Sequence, residues 1–360
     1  MPFPALAENA AALELNSLPR HVPLAAQIRD GLAESIHYGS LIATAAEATG
    51  TRTLFSAGDP LVPFYPRSAL KPLQAVAMVR AGLDLPADLL ALTAASHSGA
   101  AMHRGGAARI LEIHGLTAAD LENSTDLPYG VSEREEWLRR GGVPTQLAQN
   151  CSGKHASMAA TCVINGWPVQ GYQDPGHPLQ KLVAGTVSDL TGEVPSRTST
   201  DGCGTPLFAL TLRGMARAFG RLASAEVHNH AAPTESPEAA VAHAMRRHPE
   251  MVAGEGRDVT ELMRLAPGIL AKDGFEGVQL VGLPDGRGVA VKISDGGDRA
   301  RMPVTVRVLE ALGVDTAPLE GIATGTALGG GRPVGELTAT DFLFPASPDT
   351  ATQTDADEAL

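Results

Sequence analysis

The sequence has no long apolar segment and few aromatic residues. No stretch approaches the roughly 18 consecutive apolar residues that a membrane-spanning helix needs, so we expect no membrane partner. Aromatic residues make up 4% of the 360 residues, whereas 44% are hydrophobic and 19% are charged, which is the composition of a globular protein. No basic residue precedes Arg20, and the N-terminal residues contain no apolar segment of the kind found in signal peptides. We therefore expect no signal peptide and a cytoplasmic location.

Positive charge is also scarce. The chain carries 28 Lys and Arg against 40 Asp and Glu, and this net charge of −12 disfavours binding to nucleic acid. Three cysteines are too few for a disulfide framework. Residues 346–360 are acidic and contain almost no apolar side chains, which predicts a disordered acidic tail. We expect one domain over residues 1–345, with a helical subregion at about 100–265.

Lysine is much rarer than arginine. Only five of the 28 basic residues are lysines, namely Lys71, Lys154, Lys181, Lys272 and Lys292. Arginine does not lose its proton in proteins, whereas a desolvated lysine does. The remaining lysines are therefore candidates for positions at which the chemistry requires a neutral amine.

Patterns of apolar and turn-forming residues predict a mixed α/β (α+β) fold. Residues 34–49 and 51–56 form a predicted hairpin, and strands are predicted at 268–272, 278–283 and 288–293. Because strands and helices do not alternate, we expect early and late strands to join one mainly antiparallel sheet flanked by helices. Helices are predicted at 68–80, 89–95, 102–114, 133–140, 153–164, 179–190, 206–222, 238–247, 259–265 and 301–312.

Two serines lie where a hydroxyl could enter a cleft. Ser68 stands at a predicted helix start, and Lys71 lies one turn further on the same face. A serine becomes a good nucleophile when a base such as a neutral lysine takes its proton. Ser96 follows a short apolar helix and could supply a second hydroxyl. The alternatives are an ordinary surface helix start at Ser68 and a helix-ending turn at Ser96.

Two cysteine-containing segments also carry chemistry. Cys151, Lys154 and His155 share one face at the start of a helix, where a cysteine could be a thiolate nucleophile, a metal ligand or an inert contact. Cys203 lies between two glycines, in a loop before the predicted helix that starts at Pro206. Without a C-x-x-C pattern or paired histidines, a closed structural zinc site is not supported, although an open site remains an alternative.

A third lysine, Lys272, ends a strand in the segment Lys272-Asp273-Gly274. A K-T-G strand borders the site of penicillin-recognising enzymes, which also use an S-x-x-K motif. The order of serine–lysine pair, second serine and K-x-G is the same here, with Asp in place of the central Thr.

Taken together, these segments resemble the bacterial asparaginase II family of rhizobial type. The resemblance implies a serine β-lactamase- and glutaminase-like fold and hydrolysis of the asparagine side-chain amide to aspartate and ammonia. The matching segments are Pro66-Arg67-Ser68-x-x-Lys71-Pro72, Ala95-Ser96-His97, Gln149-Asn150-Cys151-Ser152-Gly153-Lys154-His155, Ser199-Thr200-Asp201-Gly202-Cys203-Gly204 and Lys272-x-Gly274.

The resemblance also implies roles for individual residues. Ser68 with Lys71 and Ser96 with Lys272 would form two coupled catalytic pairs. Cys151, Lys154 and Cys203 would line a pocket able to hold a metal, with zinc as the candidate and no cofactor required for the chemistry. The partners that we expect are a small amino-acid substrate and a second copy of the chain in a homodimer.

Substrate contacts are predicted at Arg67, His97, Asn150, His155 and Asp201. The carboxylate of Asp201 suits the α-ammonium group of asparagine, and the guanidinium of Arg67 suits its α-carboxylate.

Three other functions stay open from the sequence. The first is a penicillin-recognising hydrolase or a glutaminase built on the same serines and lysines. The second is a cysteine hydrolase that uses Cys151 and His155. The third is a non-enzymatic protein that binds a metal or an amino acid through Cys151 and Cys203.

Overall fold

The computed structural model describes residues 18–47, 50–228 and 236–343. The predicted acidic tail at 346–360 lies outside the described residues. The strands are β1 Val22–Arg29, β2 Leu32–Glu47, β3 Gly50–Ala57, β4 Thr198–Thr200, β5 Pro206–Phe208, β6 Leu270–Gly274, β7 Val278–Gly282, β8 Gly288–Ile293, β9 Gly325–Gly329 and β10 Arg332–Ala339.

Twelve α-helices are described in these ranges: α1 Lys71–Arg80, α2 Ala87–Thr93, α3 Ala101–Ile113, α4 Val131–Arg139, α5 Ser152–Ile164, α6 Pro178–Thr191, α7 Leu212–His228, α8 Pro237–Arg247, α9 Pro249–Val252, α10 Asp258–Leu265, α11 Arg301–Ala311 and α12 Glu320–Ala323. None of the described helices is both long and apolar enough to cross a membrane.

One antiparallel sheet is the framework of the molecule, in the order β6-β7-β8-β2-β1-β10-β9, with β3 paired to β2. The long strand β2 pairs with β1 along its first half and with β3 along its second half. Its other edge pairs with β8, from Gly39 opposite Ile293 to Thr44 opposite Gly288. The predicted union of early and late strands in a mainly antiparallel sheet flanked by helices is therefore confirmed.

Helix α7 packs closely on the strands β2, β7 and β8. Glycines make this approach feasible, because a Cβ atom at Gly288 would collide with the carbonyl oxygen of Ala216, and one at Gly282 would collide with that of Phe219. Helix α11 contacts β8, β10 and β7. Most other helices lie between β3 and β6 in the sequence, and they carry or support the serine- and cysteine-containing segments.

Two parts of the predicted secondary structure are wrong. The sequence analysis assigns no strand to the ranges of β1, β9 and β10, where Pro23 in β1, Pro333 in β10 and glycines in β9 and β10 interrupt the usual strand pattern. The predicted helix start at Pro206 is a strand instead, since Pro206 pairs with Thr200 in the small β4–β5 hairpin. Helix α7 begins only at Leu212, so the segment around Cys203 is the turn of a hairpin.

The end of β6 fixes one side of the candidate site. A Cβ atom at Gly274 would collide with the carbonyl oxygen of Pro66 and would lie 3.2 Å from the Cβ of Ala69. Only glycine therefore lets the strand approach the turn that carries Ser68 so closely. This contact places β6, the strand of Lys272, beside the turn that carries Ser68.

Candidate active site

Ser68 lies in a 3₁₀ turn, Arg67–Leu70, that leads directly into α1. Pro72 occupies the first turn of α1, where a missing backbone N–H is tolerated. Arg67 adopts a left-handed backbone with φ of 52°, a conformation that costs a non-glycine residue about 1–2 kcal/mol. Such local strain is typical of segments that hold a functional side chain in place. The Ser68 hydroxyl is largely buried and makes no hydrogen bond to any other described residue.

Lys71 connects the turn to the segment that carries the second serine. Its buried Nζ donates to the carbonyl oxygen of Ala95 at 2.6 Å and to Oγ of Ser96 at 2.9 Å. In this structure the hydrogen bond of Lys71 is thus to Ser96, whereas the helical spacing predicts a pairing with Ser68. Both serines border the same cleft.

Lys272 is the second buried lysine of the site. Burial and the nearby Lys71 lower its pKa to about 8, while Asp273 acts in the opposite direction. Its Nζ donates to the carbonyl oxygen of Asp273 at 2.8 Å and to Oδ1 of the same residue. A lysine with this pKa has an appreciable neutral fraction near neutral pH and can take a proton.

Asp273 joins Lys272 to an arginine. Its Oδ2 accepts a hydrogen bond from Nη2 of Arg257 at 3.0 Å. Burial favours the neutral acid, but Lys272, Arg257 and Arg301 outweigh it and hold the pKa of Asp273 well below its usual range. The carboxylate is therefore ionised and lies between the buried Lys272 and Arg257, of which Arg257 lines the cleft.

The cleft is narrow and brings together residues from several distant segments. Ser68, Ser96 and Asn150 are the predicted residues that line it. Sequence analysis missed most of the others because they belong to no recognised motif; only Asp273 and Gly274 stood inside one. The complete lining is Ser68, Ser96, Tyr129, Asn150, Arg257, Asp273, Gly274, Phe275 and Asp298.

Backbone hydrogen bonds fix the segment that carries Ser96. The N–H of Ser96 donates to the carbonyl oxygen of Val252 at 2.9 Å, and that of His97 donates to the carbonyl oxygen of Asn150 at 3.1 Å. His97 itself is fully buried, stacks on His103 and contacts Oγ of Ser152 through Nε2 at 2.9 Å. Burial lowers its pKa well below the usual range, so the ring is neutral.

A second polar cluster lies at the start of α5. Nζ of Lys154 lies 3.0 Å from Sγ of Cys203 and 2.8 Å from Oγ1 of Thr205. The contact with Cys151 lowers the pKa of Cys203 well below its usual range, and the charge of Lys154 acts in the same direction. Burial alone would raise this pKa. The same contact and burial raise the pKa of Cys151. The electrostatics therefore favour a thiolate at Cys203, a thiol at Cys151 and an ammonium group at Lys154.

This cluster contains the three donors that the sequence predicts for a metal, but two of them, Cys151 and Lys154, keep their protons. Burial disfavours the charged form of Lys154 and by itself would lower its pKa. The attraction of Cys203 and Cys151 for the ammonium group is stronger, so that the pKa of the lysine is raised. Two sulfurs and an amine fit zinc only after Cys151 and Lys154 lose their protons. Across the ranges that the structure describes, no three His, Cys, Asp or Glu side chains gather as a metal site.

His155 is buried beside the same cluster. The Tyr172 hydroxyl accepts the N–H of Glu122 at 2.9 Å and lies 2.8 Å from Nδ1 of His155, so it is placed to donate its proton to that nitrogen. Burial lowers the pKa of His155 to about 4, and the ring is neutral. Its Nε2 makes no hydrogen bond within the described part of the chain.

Arg67 and Asp201, the two predicted substrate contacts, are bonded to each other. Nε of Arg67 donates to Oδ1 of Asp201 at 2.8 Å. The Arg67 guanidinium also lies 5.7 Å from the ring of Phe275 and 3.8 Å from Glu276. Oδ2 of Asp201 can accept a further hydrogen bond, because its contact with Sγ of Cys203 is long, at 3.9 Å.

Comparison with solved structures finds proteins with low sequence identity. A β-lactamase from Mycobacterium bovis is 16% identical, with a TM-score of 0.41 over 76% of this chain and 94% of that chain. Mglu in its glutamate form is 18% identical, with a TM-score of 0.34 over 81% and 65%. EstCE1, a hydrolase with promiscuous acyltransferase activity, is 13% identical, with a TM-score of 0.35 over 75% and 92%.

No curated protein sequence matches the chain significantly. The family described as L-asparaginase II matches residues 25–339, which include both serines, both lysines of the cleft and the cysteine cluster. This match covers most of the chain and agrees with the resemblance of the motifs. The protein belongs to the L-asparaginase II family.

Proposed function

We propose that the protein hydrolyses the side-chain amide of L-asparagine to L-aspartate and ammonia through a serine acyl-enzyme. The observation that carries the proposal is that two serines line one cleft in a member of this family, while the buried Lys71 and Lys272 contact its lining residues Ser96 and Asp273. Ser68 attacks the amide carbon, the C–N bond breaks as ammonia leaves with a proton, and water then hydrolyses the ester.

The lysines would move the protons. Lys71 takes the proton of Ser68, and Ser96, which is hydrogen-bonded to Lys71, passes a proton to the leaving nitrogen. Lys272 would be a second base in the same proton relay, because burial and the charge of Lys71 favour its neutral amine. A backbone N–H of the Ser68 turn would bind the oxyanion, but that of Ala69 is already used, because it donates to the carbonyl oxygen of Pro66 at 3.1 Å.

The remaining predicted residues would act at a distance from the reacting carbon. Asn150 lines the cleft and contacts the Cys151 thiol through Oδ1 at 3.1 Å. Asp201 would bind the α-ammonium group through Oδ2, with Arg67 holding its other oxygen. His97 and His155 are buried and neutral, and we propose that they support the walls of the site.

Zinc is part of the proposal as an accessory to substrate binding. Cys151, Lys154 and Cys203 would hold it, and it would supply a positive charge in an open site able to bind a water or a substrate atom. Because Cys151 and Lys154 must lose protons first, the affinity for zinc should rise with pH.

The first prediction concerns the nucleophile. The wild type should release ammonia from L-asparagine, and Ser68→Ala should lower kcat at least about a thousandfold because the acyl-enzyme can no longer form. Ser96→Ala should lower it by about 10²–10⁴-fold through loss of proton transfer. Ser132→Ala, on the exposed surface of α4, is the matched control. Near-normal turnover by Ser68→Ala would show that the assignment is wrong.

An amide panel separates this function from the alternatives. Release of ammonia from L-glutamine but not from L-asparagine would favour a glutaminase. Loss of activity in Cys151→Ala with normal activity in Ser68→Ala would favour the cysteine hydrolase. No ammonia from any amide would favour the binding protein.

The second prediction concerns pH. Lys272 loses its proton as the pH rises through about 8. Below that value, kcat/KM should therefore rise by about tenfold per pH unit and then level off. Lys272→Arg should be nearly as inactive as Lys272→Ala, because arginine keeps the charge but cannot act as a base. The exposed Lys181→Arg is the control, and an active Lys272→Arg variant would reduce Lys272 to a charge that positions its neighbours.

The third prediction concerns zinc. After loading with zinc and removal of free metal, the wild type should retain zinc, as measured by elemental analysis, and should retain more at pH 8.5 than at pH 6.5. Cys203→Ala should lose it, whereas Cys162→Ala, which removes a buried cysteine outside the cluster, should not. Equal zinc content in wild type and Cys203→Ala, or no zinc in either, would contradict the site.

A further inference from the structure

Arg257 borders the cleft from a loop that is fixed to the second serine. It directly precedes α10 and follows two glycines with positive φ, Gly254 and Gly256. The carbonyl oxygen of Val252 accepts the N–H of Ser96, and that of Ala253 accepts the N–H of Ser98 at 2.7 Å. The arginine is therefore held at a defined distance from Ser96.

The guanidinium of Arg257 is only partly satisfied. Nη2 donates to Oδ2 of Asp273 at 3.0 Å, and the group lies 5.0 Å from the ring of Tyr129. Its Nη1 is buried and makes no hydrogen bond to any described residue. A buried cationic donor without an acceptor is costly, and a carboxylate is the group that matches a guanidinium best.

Arg67 is also paired with a carboxylate, since its Nε donates to Asp201 and its Nη1 lies 3.8 Å from Glu276. The two arginines differ in position: Arg257 lines the cleft, together with the carboxylates of Asp273 and Asp298, whereas Arg67 is not among the lining residues. Asn150, Ser68 and Ser96 border the same cleft, so a ligand carboxylate at Arg257 would lie in the space that also holds the reacting amide.

We propose that Arg257 binds the α-carboxylate of the substrate through Nη1 and so restricts the reaction to amides of amino acids with a free carboxylate. The inference rests on the proposed function and deepens it, because it names the group that selects the substrate class. It assigns to Arg257 the contact that the sequence predicts for Arg67.

The test compares two amides that differ only in this carboxylate. L-Asparagine and 3-aminopropanamide, which lacks the α-carboxylate, are given to the wild type and to the variants Arg257→Gln and Arg67→Gln. The ratio of their kcat/KM values reports the preference for the carboxylate. Any common loss of rate, for example from disturbing Asp273 and Lys272, cancels in this ratio.

We expect the wild type to prefer L-asparagine and Arg257→Gln to lose about 10- to 100-fold of that preference. Arg67→Gln should keep the preference, as should Arg264→Gln, which removes a partly exposed charge of α10 outside the cleft. An unchanged preference in Arg257→Gln, or a loss in Arg67→Gln alone, would overturn the inference while leaving the proposed function intact.

Two additions keep the test decisive. If Arg257→Gln does not fold, Arg257→Lys provides a second test, because it keeps the positive charge. Arg257→Lys should retain only part of the wild-type preference, because lysine lacks the planar pair of donors. Calorimetry with the product L-aspartate measures binding without turnover, and its affinity should fall in Arg257→Gln but not in Arg264→Gln. If the wild type neither releases ammonia from L-asparagine nor binds L-aspartate, the inference falls together with the proposed function.

Discussion

The hydrogen bonds of Lys71 join the two halves of the site. This buried amine lies at the start of α1, directly after the turn that carries Ser68, and it donates to the carbonyl oxygen and the hydroxyl of the Ala95–Ser96 segment. A lysine without such acceptors would be costly to bury. The need to satisfy it therefore fixes the distance between the two segments that supply the serines. Arginine would satisfy the same acceptors but could not give up its proton.

A second set of contacts fixes the other wall of the cleft. Gly274 lets β6 approach Pro66, so that the main sheet supports the Ser68 turn. Asp273 then links Lys272 of that strand to Arg257, and backbone bonds link the Arg257 loop to the segment of Ser96. The turn, the strand and both loops thus form one connected network around the cleft.

Motif spacing predicts part of this site well. The hairpin of β2 and β3 and the strands β6 to β8 follow from local patterns, whereas the family resemblance implies the convergence of Cys151, Lys154 and Cys203. The partner of Lys71 does not, because the choice between Ser68 and Ser96 depends on how distant segments pack. The lining residues Tyr129, Arg257, Phe275 and Asp298 come from separate segments without a motif, and only folding brings them together. The homodimer and the cytoplasmic location stay predictions.

The central claim is that Ser68 carries an acyl group derived from the substrate. The most direct measurement is to quench the enzyme with acid during turnover of L-asparagine, digest it and locate the modified peptide by mass spectrometry. The account predicts an aspartyl ester on Ser68 that is absent in Ser68→Ala and accumulates when hydrolysis is slowed at low pH. An ester on Ser96, or a thioester on Cys151, would contradict it.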